Sequence, residues 1–377
     1  MALGISALMM LLGGCAALTT RTVAPPDDRV APAGVVHVRW RMELHTHQLF
    51  EARPEECAQG VVAGGHLVIG SRAGAMVGVA TEDGHIDWAT AATGGIDSEA
   101  RFDVEHGQVY MGADDGAFYA IEPDTGRVRW SYHAKGAIER RAEVGRDTVY
   151  VATSADQVVA LDARTGKWRW QYDRETPDGF TIHGYSGPQL HNGQVLAGFA
   201  DGYLVSLQAS TGEVVWAHSL AGTSEQFVDV DSTPVLDGDS VLAASYSGGV
   251  YALDSKDGST RWRSLIEGVG PLSLIAGRIY FASPRAGLHA ISRQDGQIFW
   301  RQGLPDAGDM TAPLSVGRYL VFSGSRGGLF VVEPATGQLL EVFNPGNGIC
   351  AGGTYDPVTD RFYLLSNGGT LYALDIG

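Results

Sequence analysis

The chain has 377 residues, a formal net charge of −16, 44% hydrophobic residues, 51 glycines and 15 prolines. The acidity argues against nucleic acid as a partner, because a nucleic-acid footprint is basic. The apolar content argues against disorder, so the glycines read as turns.

Residues 1–14 form a short apolar run that ends Leu12-Gly13-Gly14 before Cys15. The segment resembles a bacterial lipoprotein signal, with an aliphatic residue and two small ones ahead of the cysteine. That resemblance implies cleavage before Cys15, acylation of its thiol and, with Ala16 next, transfer to the outer membrane. No Lys or Arg precedes the run, as a secretory n-region would have. The alternative is an uncleaved apolar N-terminus, too short to span a bilayer as a helix. Residues 15–34, rich in Ala, Pro and Thr, read as a lipidated flexible tether.

Residues 35–377 read as one repeating unit. His37-Val38-Arg39-Trp40 has the pattern of an outer strand with nothing before it. Downstream, a turn glycine is followed four residues later by a tryptophan. The pairs are Gly84–Trp88, Gly126–Trp130, Gly166–Trp170, Gly212–Trp216, Gly258–Trp262 and Gly296–Trp300; a seventh begins at Gly337 but carries Glu341. The glycines recur every 38 to 46 residues, the period of four-stranded propeller blades. Thr233–Arg263 shows the unit most clearly, with strands predicted at Thr233–Leu236, Val241–Ser245, Val250–Leu253 and Ser259–Trp262.

Alternation predicts that positions two and four after each glycine share a buried face, for example Val128/Trp130, Trp168/Trp170 and, in the first strand, Val38/Trp40. The tryptophans Trp40, Trp88, Trp130, Trp170, Trp216, Trp262 and Trp300 are therefore structural, packing on the neighbouring blade. A small residue recurs at the centre of the third strand, where it would let adjacent sheets approach closely: Gly78, Ala120, Ala160, Ser206, Ala252, Ala290 and Ala373, with Val331 as the exception. The last third strand, Leu371–Asp375, lacks a fourth, and Val35–Trp40 supplies it. The expected fold is all-β, an eight-bladed β-propeller closed by both termini, which removes free sheet edges at the seam. Cys57 and Cys350 fall near the inner strands of the first and last blades. Two readings stand for them, a disulfide across the seam or two buried thiols.

No catalytic set is legible. Asp229-Val230-Asp231-Ser232-Thr233 superficially matches a phosphotransferase signature but lacks the Rossmann-like strand end that chemistry needs. His45 and His47 have two-apart metal spacing, for which solvated strand residues are the simpler account. No glycine-rich phosphate loop opens a helix. Neither a cofactor nor a metal is called for.

The run Ala160-Leu161-Asp162-Ala163-Arg164-Thr165-Gly166-Lys167-Trp168-Arg169-Trp170 resembles the tryptophan-docking motif of quinoprotein propellers. Those enzymes hold pyrroloquinoline quinone and calcium and use a vicinal disulfide; here no cysteines are adjacent. The lipoprotein signal, the tether and the propeller together resemble the BamB family, over roughly residues 15–377. Two segments are similar to its loops: Phe180 to Pro188, and Gly222-Thr223-Ser224 through Asp229-Val230-Asp231-Ser232-Thr233-Pro234. In that family the two loops contact a periplasmic POTRA domain of BamA. The resemblance implies apolar anchors at Phe180 and Ile182 and acidic contacts at Asp229 and Asp231, with His183 where the family has arginine. Against this stands an internal role in which the two aspartates bond loop amides. The implied function is a non-enzymatic, lipid-anchored scaffold on the periplasmic face of the outer membrane. It would dock a BamA-like POTRA protein, and nascent outer-membrane strands by β-augmentation. The alternatives are a quinone-binding redox domain, or an adaptor of another envelope complex.

Overall fold

Each of the six Gly–Trp beats closes the outer hairpin of one four-stranded antiparallel sheet, and the described residues form eight such sheets. The computed structural model describes residues 34–44, 55–175, 185–221, 227–284, 286–304 and 307–377. Among these every regular element is a strand. The fifth blade has strands Val235–Asp237, Ser240–Ser245, Gly249–Asp254 and Thr260–Ser264, within two residues of the sequence expectation at each start. Inner strands touch between blades 3 and 4, 5 and 6, and 6 and 7, and that of blade 1, Val61–Ala63, touches those of both blade 2 and blade 8. The eight blades therefore form a closed ring.

The core lies between blades rather than within them. Tyr110, Phe118 and Trp130 of blade 2 pack with Val149, Val151 and Val159 of blade 3. Each tryptophan is central to this arrangement. Trp130 Nε1 donates to the Ala163 carbonyl of the next blade at 3.1 Å, and its ring lies against Gly166, where an added Cβ would come within 2.4 Å of Cε3. Gly166 has φ +68°, so the turn needs glycine both for backbone conformation and for the ring above it. Trp40, Trp88, Trp170, Trp216, Trp262 and Trp300 donate likewise to Thr81, Pro123, Ala209, Ser255, Arg293 and Pro334 of the following blade, at 2.9 to 3.2 Å. An indole of this size buries about 150–250 Å², several kcal/mol at roughly 25 cal/mol/Å².

The structure corrects two expectations. Positions two and four after the glycine do not share a buried face. In blade 3, Ala160 pairs with Trp170 while Leu161 pairs with Trp168, so Arg169 is an extra residue forming a β-bulge. Trp170 is buried, but Trp168 is 55% exposed. The same bulge exposes Ile86, Val128, Val214 and Ile298, and in the first strand Val38. The small third-strand residue also has a more local reason than sheet-to-sheet approach. Gly78, Ala120, Ala160, Ser206, Ala252, Ala290 and Ala373 each pair directly with the tryptophan of their own blade. A Cβ on Gly78 would lie 2.2 Å from the Trp88 ring. Val331, the exception, pairs with Glu341, the other exception.

Blade 8 explains that joint lapse. It contains Thr354–Asp356, Arg361–Leu365, Thr370–Ile376 and, as its outer strand, Val36–Glu43 from the N-terminal side. Its third and outer strands are not joined by a turn, so blade 7 has no turn glycine to cover. Instead the buried Glu341 carboxylate accepts hydrogen bonds from Val35 N (2.7 Å) and Val36 N (3.2 Å), the first amides of the closing strand. Cys57 and Cys350 form a disulfide across the same seam, with Cα atoms 5.3 Å apart, a separation suited to a bridge.

Candidate functional site

The loops leading into the inner strands of blades 3, 4 and 5 gather on one face, and their geometry begins with Tyr185. Its side chain is buried, its hydroxyl donates to the Ala137 carbonyl (3.2 Å) and it accepts from Glu139 N (2.9 Å). Burial, reinforced by the Glu139 carboxylate, pushes this hydroxyl well above the usual tyrosine range, so it stays protonated. Arg140 crosses from the same loop, donating from Nε to the Tyr185 carbonyl (3.0 Å) with its guanidinium 5.7 Å from the ring centroid.

The blade 4 and blade 5 loops are joined in turn. Gly187 N donates to Thr233 Oγ1 (3.1 Å), and Leu272 N, ahead of the inner strand of blade 6, donates to Ser232 Oγ (3.4 Å). Val230 N donates to the Phe199 carbonyl (3.1 Å), and Val230 is fully buried against Gly198. Residues 137–140, 185–188 and 228–234 are thus pinned to one another and to the sheet ends.

The two described candidate aspartates differ. Asp229 is turned inward and only 2% exposed, whereas Asp231 keeps part of its surface open. Burial raises the Asp231 carboxyl above the usual carboxylate range, and the nearby positive charge of Arg140 works against that rise. Asp231 is thus the more accessible of the two carboxylates, with Arg140 as its charge neighbour. Phe180, Ile182, His183 and Cys15 lie outside the described residues, as do His45 and His47. Arg140 and Tyr185 were not singled out from sequence. Arg140 stands in an ordinary charged connection, Glu139-Arg140-Arg141, that carries no repeat signature.

Among the described residues, no three His, Cys, Asp or Glu side chains converge as metal ligands. The two described cysteines, Cys57 and Cys350, are far apart in sequence rather than adjacent.

Comparison with solved structures places the fold. BamB from Moraxella catarrhalis is 24% identical and superposes with a TM-score of 0.74, over 87% of this chain and 99% of that one. The quinohemoprotein alcohol dehydrogenase from Comamonas testosteroni is 15% identical with a TM-score of 0.68, covering 92% of this chain and 78% of the enzyme. Sqt1 from Saccharomyces cerevisiae, at 9% identity, reaches a TM-score of 0.72 over 89% of this chain and 98% of its own. No similar sequence is found among curated proteins. The family model described as outer membrane protein assembly factor BamB matches residues 37–136 and 97–302, well over half of the sequence. The tryptophan-locked ring, the joined loops and this match lead to one conclusion: the chain belongs to the BamB family.

Proposed function

We propose that this protein is a non-enzymatic scaffold for outer-membrane protein assembly, docking a POTRA domain of a BamA-like protein. The observation that carries the reading is the face built around Tyr185, where three successive blade loops are tied together and present Arg140 and Asp231. Such a preformed surface loses little order on binding. In this reading Asp231 is the presented acidic contact, Asp229 fixes its own loop, and Phe180 and Ile182 add apolar contacts. His183, where the family has arginine, implies a partner whose carboxylate need not be clasped by two hydrogen bonds. Acylated Cys15 holds the ring at the periplasmic face of the outer membrane.

The test is affinity capture from solubilised outer membranes with the tagged full-length chain, followed by mass spectrometry. A POTRA-containing protein should be recovered, and Arg140→Glu should reduce its yield at least tenfold. Recovery of none would sink the proposal. The same preparation reports on Cys15, whose tryptic peptide should carry acyl chains. The superposition on a quinohemoprotein dehydrogenase motivates one control, titration with pyrroloquinoline quinone and calcium. On the scaffold reading the absorbance spectrum does not change.

A further inference from the structure

Five described non-glycine residues have positive φ: Asp156, Asn192, Phe227, Ala276 and Asp360. Four of them lie in turns between strands. Phe227, at φ +54°, lies in the connection from blade 4 to blade 5. A bulky aromatic side chain in the left-handed region is an outlier, and such outliers persist only where the surroundings dictate them.

Those surroundings are visible. Val228 lies against Gly202, where an added Cβ would be 3.0 Å from Val228 Cβ, and Val230 is locked on Gly198 and Phe199. With the two valines directed into the sheet ends, the turn at Phe227 sends its ring outward. It stays 44% exposed and rests on Tyr246 of blade 5, with ring centroids 6.0 Å apart at 59°. Tyr246 is held from behind by the next connection, where Gly268 N donates to its carbonyl (2.8 Å). That connection also carries Leu265, 77% exposed, and the exposed Glu267. Two exposed apolar side chains, Phe227 and Leu265, thus stand in the two connections that flank blade 5, the first of which also carries Asp231, on a molecule of net charge −16.

Resting on the docking reading given above, we propose that Phe227, backed by Tyr246, is a preset aromatic anchor. It inserts into an apolar cleft of the partner protein, and basic side chains at the mouth of that cleft answer Asp231 and Glu267. A rigid aromatic ring with an acidic surround suits this role, because interface energy concentrates in a few buried aromatic side chains and charge complementarity sets register and encounter rate.

The experiment measures binding of the full-length chain to the purified POTRA domains of the BamA homologue from the same organism, by biolayer interferometry at 50 and 300 mM NaCl. Phe227→Asn removes the ring but keeps a residue suited to positive φ; Phe227→Tyr keeps the ring. The Asn variant should bind at least tenfold more weakly with an unchanged melting temperature, the Tyr variant within threefold of the parent, and all should weaken at high salt. Parent-like binding by Phe227→Asn, with Asp231→Asn still impaired, overturns the anchor and leaves the docking face standing. Absence of binding by the parent chain overturns both.

Discussion

Replacing Glu341 by alanine tests how the ring is closed. The substitution removes two hydrogen bonds to a carboxylate, at 2.7 and 3.2 Å, and leaves the buried amide of Val35 and the half-buried amide of Val36 without that acceptor. Hydrogen bonds to charged groups contribute about 1.5–3 kcal/mol each, and desolvation of the carboxylate offsets part of the sum, so a net loss of about 3 kcal/mol is expected. At about 2.1 cal/mol/K of unfolding entropy per residue over residues 35–377, that is a fall in melting temperature of about 4 °C. Glu341→Gln keeps an acceptor without the charge and should fall about half as far. Calorimetry gives the shift, and hydrogen exchange should show faster exchange confined to Val36–Glu43 and its partner Thr370–Ile376, which pair across the seam. An alanine variant that melts within 1 °C of the parent, with unchanged protection of that strand, would refute the assignment of Glu341 as the closing contact.

Gly166→Ala should lower the denaturant midpoint by the equivalent of at least about 2 kcal/mol, since the new methyl meets the Trp130 ring at 2.4 Å with φ at +68°; Gly107→Ala, with nothing within 4 Å of the new Cβ, separates the backbone cost from the clash. Cys57→Ser with Cys350→Ser should cost about 2–4 kcal/mol in chemical denaturation, and the parent chain in reductant should match the double variant. Asp231 titrates above its unfolded value, so its charge costs stability once the pH passes about 4. Asp231→Asn should therefore melt no lower than the parent at pH 7 while binding partner more weakly, and a drop in melting temperature would assign it a structural role instead. Asp162 is the opposite case: hydrogen bonds from Arg169 and Thr165 hold its carboxyl down to about 2. The stability it adds is present above its unfolded pKa and lost as pH falls through the folded value, so the difference in melting temperature between the parent and Asp162→Asn should narrow steeply on acidification from pH 5 to pH 2.

The scaffold was legible because the residues that define it are chemically extreme. Only glycine tolerates both the backbone of the blade turn and a ring lying on it, and only tryptophan spans two blades while donating to the far carbonyl. Glu341 and Val331 broke the pattern together, and sequence alone could mark the break without revealing that two backbone amides had replaced a glycine as the thing to be covered. The bulge at Arg169 was hidden because an extra residue leaves the apolar pattern intact while reversing the direction of Trp168. Asp229 and Asp231 look equivalent as letters, yet the fold buries one and leaves the other partly open. Arg140 and Tyr185 matter through contacts between loops 45 residues apart, and no local pattern reports such a distance.

The position of the Cys57–Cys350 bridge divides the molecule in a way the circular outline conceals. Blades 1 to 7, from Val61 to Phe343, lie wholly within the covalent loop, whereas every strand of blade 8 comes from the two segments outside it. In the oxidised protein a pull on either terminus peels strands from blade 8 and then meets the sulfur bridge, with seven blades still enclosed. Blade 8 is therefore the one described blade that can be lost and regained with no part of the covalent loop unfolding.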